Sequence, residues 1–292
     1  MQDLNLSEKT VIVTGAGRGI GRLMVLGLVA SGANVLGTVG RNKAELDQTA
    51  ALAAEQGPGE FRGIVSDVSR YEDCERCAFE AVRAFGQIDG LINNAARGPL
   101  EANDDYFSAK PPFWSAPPEA YARIVETNLV GAFFMTKAAV PTMLEQGFGR
   151  IINISTSRPT MVMQGLAAYG STKAGLEAAT VQWAKDLDGS GLTANVLLPG
   201  GAADTALIPG GEIGSRAIKD FQAGKGAGGE EGRTAGLLPA DIMVPPTLWL
   251  CSDESAAYNG RRIVAKDWDP DLPPAKAAEE ATDPPADSPR IM

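Results

Sequence analysis

The sequence predicts an α/β protein built on a doubly wound parallel sheet of about seven strands in a single domain. Three observations carry that prediction. Short β-branched runs alternate with longer helical patterns, the rhythm of strands joined by crossover helices. Several runs are apolar without alternation, as in Val11-Ile12-Val13 and Ile151-Ile152-Asn153-Ile154, which suits strands buried on both faces. The first run leads straight into a glycine-rich turn that opens a helix.

Taken in order, residues 10–13 read as the first strand and residues 20–31 as the helix that follows the glycine turn. A strand at 34–39 and a helix at 43–56 form the next unit, followed by a strand at 61–65 and a helix at 70–85. A strand at 88–92 precedes a long helix at 118–146; a strand at 150–154 precedes a helix at 169–188. Strands at 193–198 and 263–265 complete the set. In such a sheet the ligand crevice lies at the carboxyl ends of the strands.

Three segments depart from the rhythm. Residues 96–118 are rich in aromatics and proline, and include Pro111-Pro112-Phe113-Trp114. Residues 200–236 are glycine-rich and weakly periodic, as expected of a mobile loop. Residues 269–292 are rich in Pro, Ala, Asp and Glu and read as an extended or disordered tail, leaving 1–268 as the binding and catalytic domain.

Composition removes several function classes. A chain of 292 residues can bury a full sheet, and its 44% hydrophobic and 21% charged content is that of an ordinary globular protein. No apolar run approaches the roughly 20 residues needed to cross a bilayer. The first nine residues are polar, so a cytoplasmic protein without membrane partners is expected. A net charge of −10 argues against nucleic acid. Cys74 and Cys77 form a C-x-x-C inside a predicted helix, with Cys251 remote, so ordinary thiols in a reduced compartment are expected. The chain has no histidine, which excludes Ser-His-Asp hydrolysis, Cys-His nucleophiles and the common zinc sites; no metal is expected.

The turn after the first strand is Thr14-Gly15-Ala16-Gly17-Arg18-Gly19-Ile20-Gly21. A dinucleotide pyrophosphate needs backbone N–H groups at a helix N-terminus, and glycines let that backbone come close. The spacing is T-G-x-x-x-G-x-G rather than G-x-G-x-x-G. Further along stand Asp67-Val68, Asn93-Asn94-Ala95-Ala96, Asn128, Tyr169-Gly170-Ser171-Thr172-Lys173, Asn195 and Pro199-Gly200. With these motifs in this order, the chain resembles the short-chain dehydrogenase/reductase family over roughly residues 6–266, and the implied fold is the Rossmann type.

The resemblance implies a cofactor site made by Gly15, Gly19, Ile20, Gly21, Asp67, Val68, Asn94, Tyr169, Lys173, Pro199 and Gly200, to which charge adds Arg18 and Arg41. It also implies a catalytic set of Asn128, Thr156, Tyr169 and Lys173. The family's serine, thirteen residues before the tyrosine, falls on Thr156, a departure; Ser155 or Ser157 serves instead if the loop is shifted by one. Asn128 is read as holding a water beside Lys173, and an amide pairing with a kinked helix backbone is compatible with that role. The chemistry implied is hydride transfer between a nicotinamide and a small-molecule ketone or secondary alcohol. The alternative is a dinucleotide-binding regulator that has lost turnover. By analogy the two long helices would build a homodimer or homotetramer.

Tyr169 and Lys173 are four residues apart and share a helical face. An ammonium about 4 Å from a phenol contributes roughly 4 kcal/mol at an effective dielectric near 20, so the phenol pKa is expected to fall until desolvation opposes it. The second strand ends on Val39-Gly40-Arg41 rather than on an acid, and Arg18 lies in the glycine turn. NADP is therefore the expected cofactor and NAD the second choice. A lid made by Phe113 or Trp114 with the 200–236 loop is expected over the substrate; packing of the 96–118 insert at a subunit interface is the alternative. Met161 and Met163 fit either an apolar pocket or simple packing.

Overall fold

Every strand expected from the sequence forms, with ends displaced by no more than two residues. The computed structural model describes residues 4–103, 106, 110–166, 168–201, 203 and 237–284. Its strands are β1 (Thr10–Val13), β2 (Asn34–Val39), β3 (Phe61–Val65), β4 (Gly90–Asn93), β5 (Gly149–Ile154), β6 (Leu192–Leu198) and β7 (Arg262–Val264). They form one sheet in the order β3-β2-β1-β4-β5-β6-β7. All six pairings are parallel. The chain runs outward in both directions from β1 and β4, so the switch point lies between their carboxyl ends, the place where such sheets bind ligands.

Helices cover both faces. They are α1 (Gly19–Ala30), α2 (Lys43–Ala53), α3 (Tyr71–Phe85), α4 (Pro118–Val125), α5 (Gly131–Gln146), α6 (Arg158–Met161), α7 (Tyr169–Asp186), α8 (Val244–Leu250) and α9 (Pro274–Ala281). Alternation along each strand divides the core. Val11 and Val13 pack with Leu23, Met24 and Trp249 on one face, while Ile12 packs with Cys74, Cys77 and Met135 on the other. The buried cysteines are free, and burial pushes the Cys74 thiol up to about 12, so it behaves as a small apolar side chain. Among the described residues no helix is long and apolar enough to cross a membrane.

One sequence expectation is refined and one is corrected. The helix over 118–146 forms with the expected ends, and within it Glu126–Val130 is a π turn between α4 and α5 that contains the buried Asn128. Insertions of this kind recur at functional sites. The segment from Asp269 is not an extended tail throughout, because α9 occupies Pro274–Ala281 and buries Ala277, Ala278 and Ala281 against the core. These three alanines form a narrow apolar face invisible to a composition argument. Beyond it, Thr282 bridges to Ile263 and Asp283 N–H donates to the Arg262 carbonyl at 2.9 Å. The remainder of the tail, residues 285–292, and most of the 200–236 loop lie outside the described residues.

Candidate active site

A cleft of about 500 Å3 opens along the carboxyl ends of the strands, with the glycine turn at one end and Tyr169 and Lys173 at the other. The turn is shaped for close approach by a ligand. A Cβ on Gly21 would lie 2.1 Å from the Gly15 carbonyl oxygen, so only glycine lets the first turn of α1 fold back on the loop. The first N–H groups of any helix lack intrahelical acceptors, and here they face a cleft with no acid in the first turn of α1. This arrangement fits a pyrophosphate.

Thr14 and Asn94 brace the loop from behind. The Thr14 hydroxyl accepts from the N–H groups of Asn94 and Ala95 at 2.9 and 3.0 Å. Asn94 Nδ2 donates to the carbonyls of Thr14 and Gly15 at 2.9 and 3.2 Å. Asn94 therefore lies in the cleft wall, but its amide nitrogen holds the glycine turn. Asp67 and Val68 form the wall beyond β3. Burial opposes ionisation of Asp67, yet hydrogen bonds from Ser69 and the charges of Arg97 and Arg41 hold its carboxyl below the usual range.

Arg18 and Arg41 both line the cleft near Val39 and Gly40. A Cβ on Gly40 would meet nothing within 4 Å, so there is open space at the end of β2. Glu45 lies in the same corner, 3.7 Å from Arg18, and was not anticipated.

At the other end, β5 delivers Ser155, Thr156 and Ser157 to the start of α6 (Arg158–Met161), and α7 begins on Tyr169. The three candidate hydroxyls have different partners. Ser155 donates to Glu177 at 2.7 Å, and Ser157 caps α6 through Thr160. Thr156 is the one of the three whose hydroxyl bears on the Tyr169 phenol, favouring its ionised form. Gly170, the next residue of α7, packs so closely that a Cβ would fall 2.0 Å from the Met161 carbonyl oxygen. That contact locks α7 onto α6 and fixes where the phenol emerges.

Lys173 is buried, with Nζ donating to the Ile154 carbonyl at 2.7 Å and lying 5.9 Å from the Tyr169 ring centre. The expected depression of the phenol pKa is not what the geometry gives. Desolvation, with Tyr106 nearby, pushes Tyr169 up to about 12 against the opposing hydrogen bond from Thr156. Desolvation also pulls Lys173 down to about 8, partly countered by the Glu177 carboxylate. Burial outweighs attraction here, with the ammonium hydrogen-bonded to the Ile154 carbonyl.

Asn128 is enclosed. Its Oδ1 accepts from Arg97 N–H at 2.7 Å, and Nδ2 donates to the Arg97 carbonyl at 3.0 Å and to Thr172 at 3.3 Å. The amide thus pins the π turn against the chain leaving β4. Pro199 lines the cleft together with Gly201, whereas Gly200 does not. Phe113 and Trp114 do not reach the cleft: they are 73% and 76% exposed and pack edge to face on each other. Tyr106, Met163 and Leu166 form the apolar wall near Tyr169 instead, and Met161 is packed inside. Phe107, another aromatic of the 96–118 insert, lies outside the described residues. Glu177 was missed by sequence reasoning, although its i+4 spacing from Lys173 places it on the same face of α7. Among the described residues no cluster of His, Cys, Asp and Glu could hold a metal ion.

Comparison with known proteins agrees with this geometry. The family model described as short chain dehydrogenase matches residues 9–209. The chain is 32% identical over 262 residues to 3-oxoacyl-(acyl-carrier-protein) reductase FabG of Escherichia coli (strain K12), covering 89% of this chain and 96% of the relative. It is 34% identical over 270 residues to L-rhamnose 1-dehydrogenase (NAD(P)(+)) of Azotobacter vinelandii, covering 89% and 95%. A solved structure from Sinorhizobium meliloti 1021, assigned to the short-chain alcohol dehydrogenases, superposes with a TM-score of 0.73 at 28% identity, covering 90% of this chain and 96% of that one. A phosphate turn at the switch point, a phenol and an ammonium on one helix, and these relationships lead to one conclusion: the chain belongs to the short-chain dehydrogenase/reductase family and is an NAD(P)-dependent oxidoreductase acting on CH–OH and C=O groups.

Proposed function

We propose that this enzyme interconverts a ketone and a secondary alcohol with NADP(H) in preference to NAD(H), using Tyr169 as the proton donor and acceptor. The observation that carries this reading is that Thr156, Tyr169 and Lys173 together line one end of a cleft continuous with the glycine turn. In reduction, the substrate oxygen takes hydrogen bonds from both hydroxyls and receives the Tyr169 proton. When bound, the nicotinamide supplies the hydride or accepts it. Gly15, Gly19, Ile20 and Gly21 would hold the pyrophosphate, with Asp67 and Val68 beside the adenine. Pro199 supports the nicotinamide end, Asn94 braces the glycine turn from behind, and Lys173 holds the ribose. Asn128, in the π turn packed on α7, completes a proton path from Lys173 to solvent. Residues 1–268 supply these groups in a cytoplasmic enzyme whose three cysteines are free thiols, and a homodimer or homotetramer is the proposed assembly.

The cofactor preference rests on Arg18, Arg41 and the open space at Gly40. Guanidinium groups match the geometry of a 2′-phosphate, and no acid ends β2 to repel it. Arg41→Ala should lower kcat/KM for NADPH roughly 10- to 100-fold, the range of a lost hydrogen bond to a charged group, with little change for NADH. Glu45→Gln should improve NADPH use by releasing Arg18. A wild-type ratio of kcat/KM that favours NADH would overturn the preference.

The pH profile is a second test. Reduction needs a neutral Tyr169 and a cationic Lys173. With Lys173 pulled down to about 8, kcat/KM should be flat at lower pH and fall about tenfold per unit above that value. The Glu177 charge holds the ammonium pKa up, so Glu177→Gln should move the break to lower pH. A break near 10.5, the ordinary lysine value, would show that burial does not control this group.

A further inference from the structure

We propose that Asp283, in the segment following α9, is a positioning residue for the Thr156 hydroxyl and acts through Arg262. The inference rests on the reading of Thr156 as the hydroxyl that binds substrate. Arg262 opens β7, and its guanidinium is engaged on every side. Nε donates to both Glu177 oxygens at 3.0 Å, Nη1 to Asp283 at 2.8 Å and Nη2 to the Thr156 carbonyl at 3.0 Å. Asp283 also accepts from Arg158 at 2.7 Å, and Glu177 accepts from Ser155 at 2.7 Å. The loop that carries Thr156 is therefore gripped at Ser155, at the Thr156 carbonyl and at Arg158 by one network of two arginines and two carboxylates.

Asp283 is itself held in place. Its N–H donates to the Arg262 carbonyl at 2.9 Å, Thr282 bridges to Ile263, and the alanine face of α9 is buried. A docked segment, and not a loose tail, thus delivers the second carboxylate to the back of the active site. The geometry has a direct consequence for chemistry. Fixing the Thr156 carbonyl fixes the backbone at that residue, and the backbone limits the rotamer of a β-branched side chain. Removing the Asp283 charge leaves the Arg262 fork aligned by Glu177 alone, free to turn away from the Thr156 carbonyl. The Thr156 hydroxyl then loses its fixed aim at Tyr169 and the substrate oxygen.

The test is a double-mutant comparison on the full chain, with NADPH and NADH as cofactors. Asp283→Asn, nearly isosteric, should lower kcat about 10- to 100-fold, the effect of a displacement near 1 Å, while leaving cofactor Kd and the melting temperature nearly unchanged. Arg262→Lys keeps the charge but loses the fork, and should give the same loss in kcat. In a Thr156→Ala background, Asp283→Asn should change the residual kcat by less than about twofold, because the group it positions is gone. An equal loss in both backgrounds, or a wild-type kcat per folded site in Asp283→Asn and Arg262→Lys, would overturn the proposal while leaving the assignment of Thr156 intact. Full activity of Thr156→Ala would overturn that assignment, and the proposal with it.

Discussion

Tyr169→Phe is expected to lower kcat by about 100- to 10,000-fold, the usual contribution of a positioned general acid, while cofactor Kd stays within about twofold. The substitution removes one oxygen and keeps the ring, so the packing of α7 on α6 through Gly170 is untouched. What is lost is the proton that the substrate oxygen must receive. Because burial keeps this phenol protonated up to about 12, the enzyme holds its acid form across the whole neutral range. Lys173→Ala should behave differently, weakening cofactor binding and turnover together. Steady-state kinetics with fluorescence titration of the reduced cofactor separates the two variants. Near-native turnover by the phenylalanine variant would contradict the role given to Tyr169.

Thr156→Val should be almost as damaging, with a loss of roughly 100- to 1,000-fold in kcat, the scale of a missing oxyanion donor. Valine keeps the β-branched shape and deletes only the hydroxyl that reaches Tyr169. Thr156→Ser should remain active, since serine donates the same bond with a freer rotamer. The partners of the neighbours make this contrast sharp. Ser155 is bonded to Glu177 and Ser157 caps α6, so neither is free to substitute without disturbing the loop. Equal activities of the valine and serine variants would transfer the role to one of those serines.

Much of this was legible in the chain because it is written in short, local patterns. Unbroken apolar runs such as Ile151–Ile154 mark buried parallel strands, and the glycine turn announces the phosphate end of the cleft. The four-residue spacing of Tyr169 and Lys173 places them on one helix face. The misreadings share a physical origin in long-range packing. The π turn at Asn128 depends on Arg97, thirty-one residues earlier. The network behind Thr156 joins Arg262 and Glu177 across 85 residues. The alanines of α9 become a buried face only where a core exists to receive them. The phenol pKa rises where a fall is expected, because spacing shows which charges are near but not how little water remains around them. Phe113 and Trp114, apolar in a proline-rich stretch, face outward rather than into the cleft, which disfavours the lid and leaves the alternative of packing at a subunit interface.

The central claim is a hydride transfer whose proton passes through Tyr169, and turnover itself tests it most directly. The measurement is reduced-nicotinamide fluorescence with the purified protein over a panel of ketones and secondary alcohols, using each cofactor in turn. The account predicts consumption of NADPH with at least one ketone, matched by an equal amount of alcohol and abolished in Tyr169→Phe. Saturable binding of both cofactors with no turnover on any member of the panel would contradict it, and would make the protein a dinucleotide-binding regulator on the same fold.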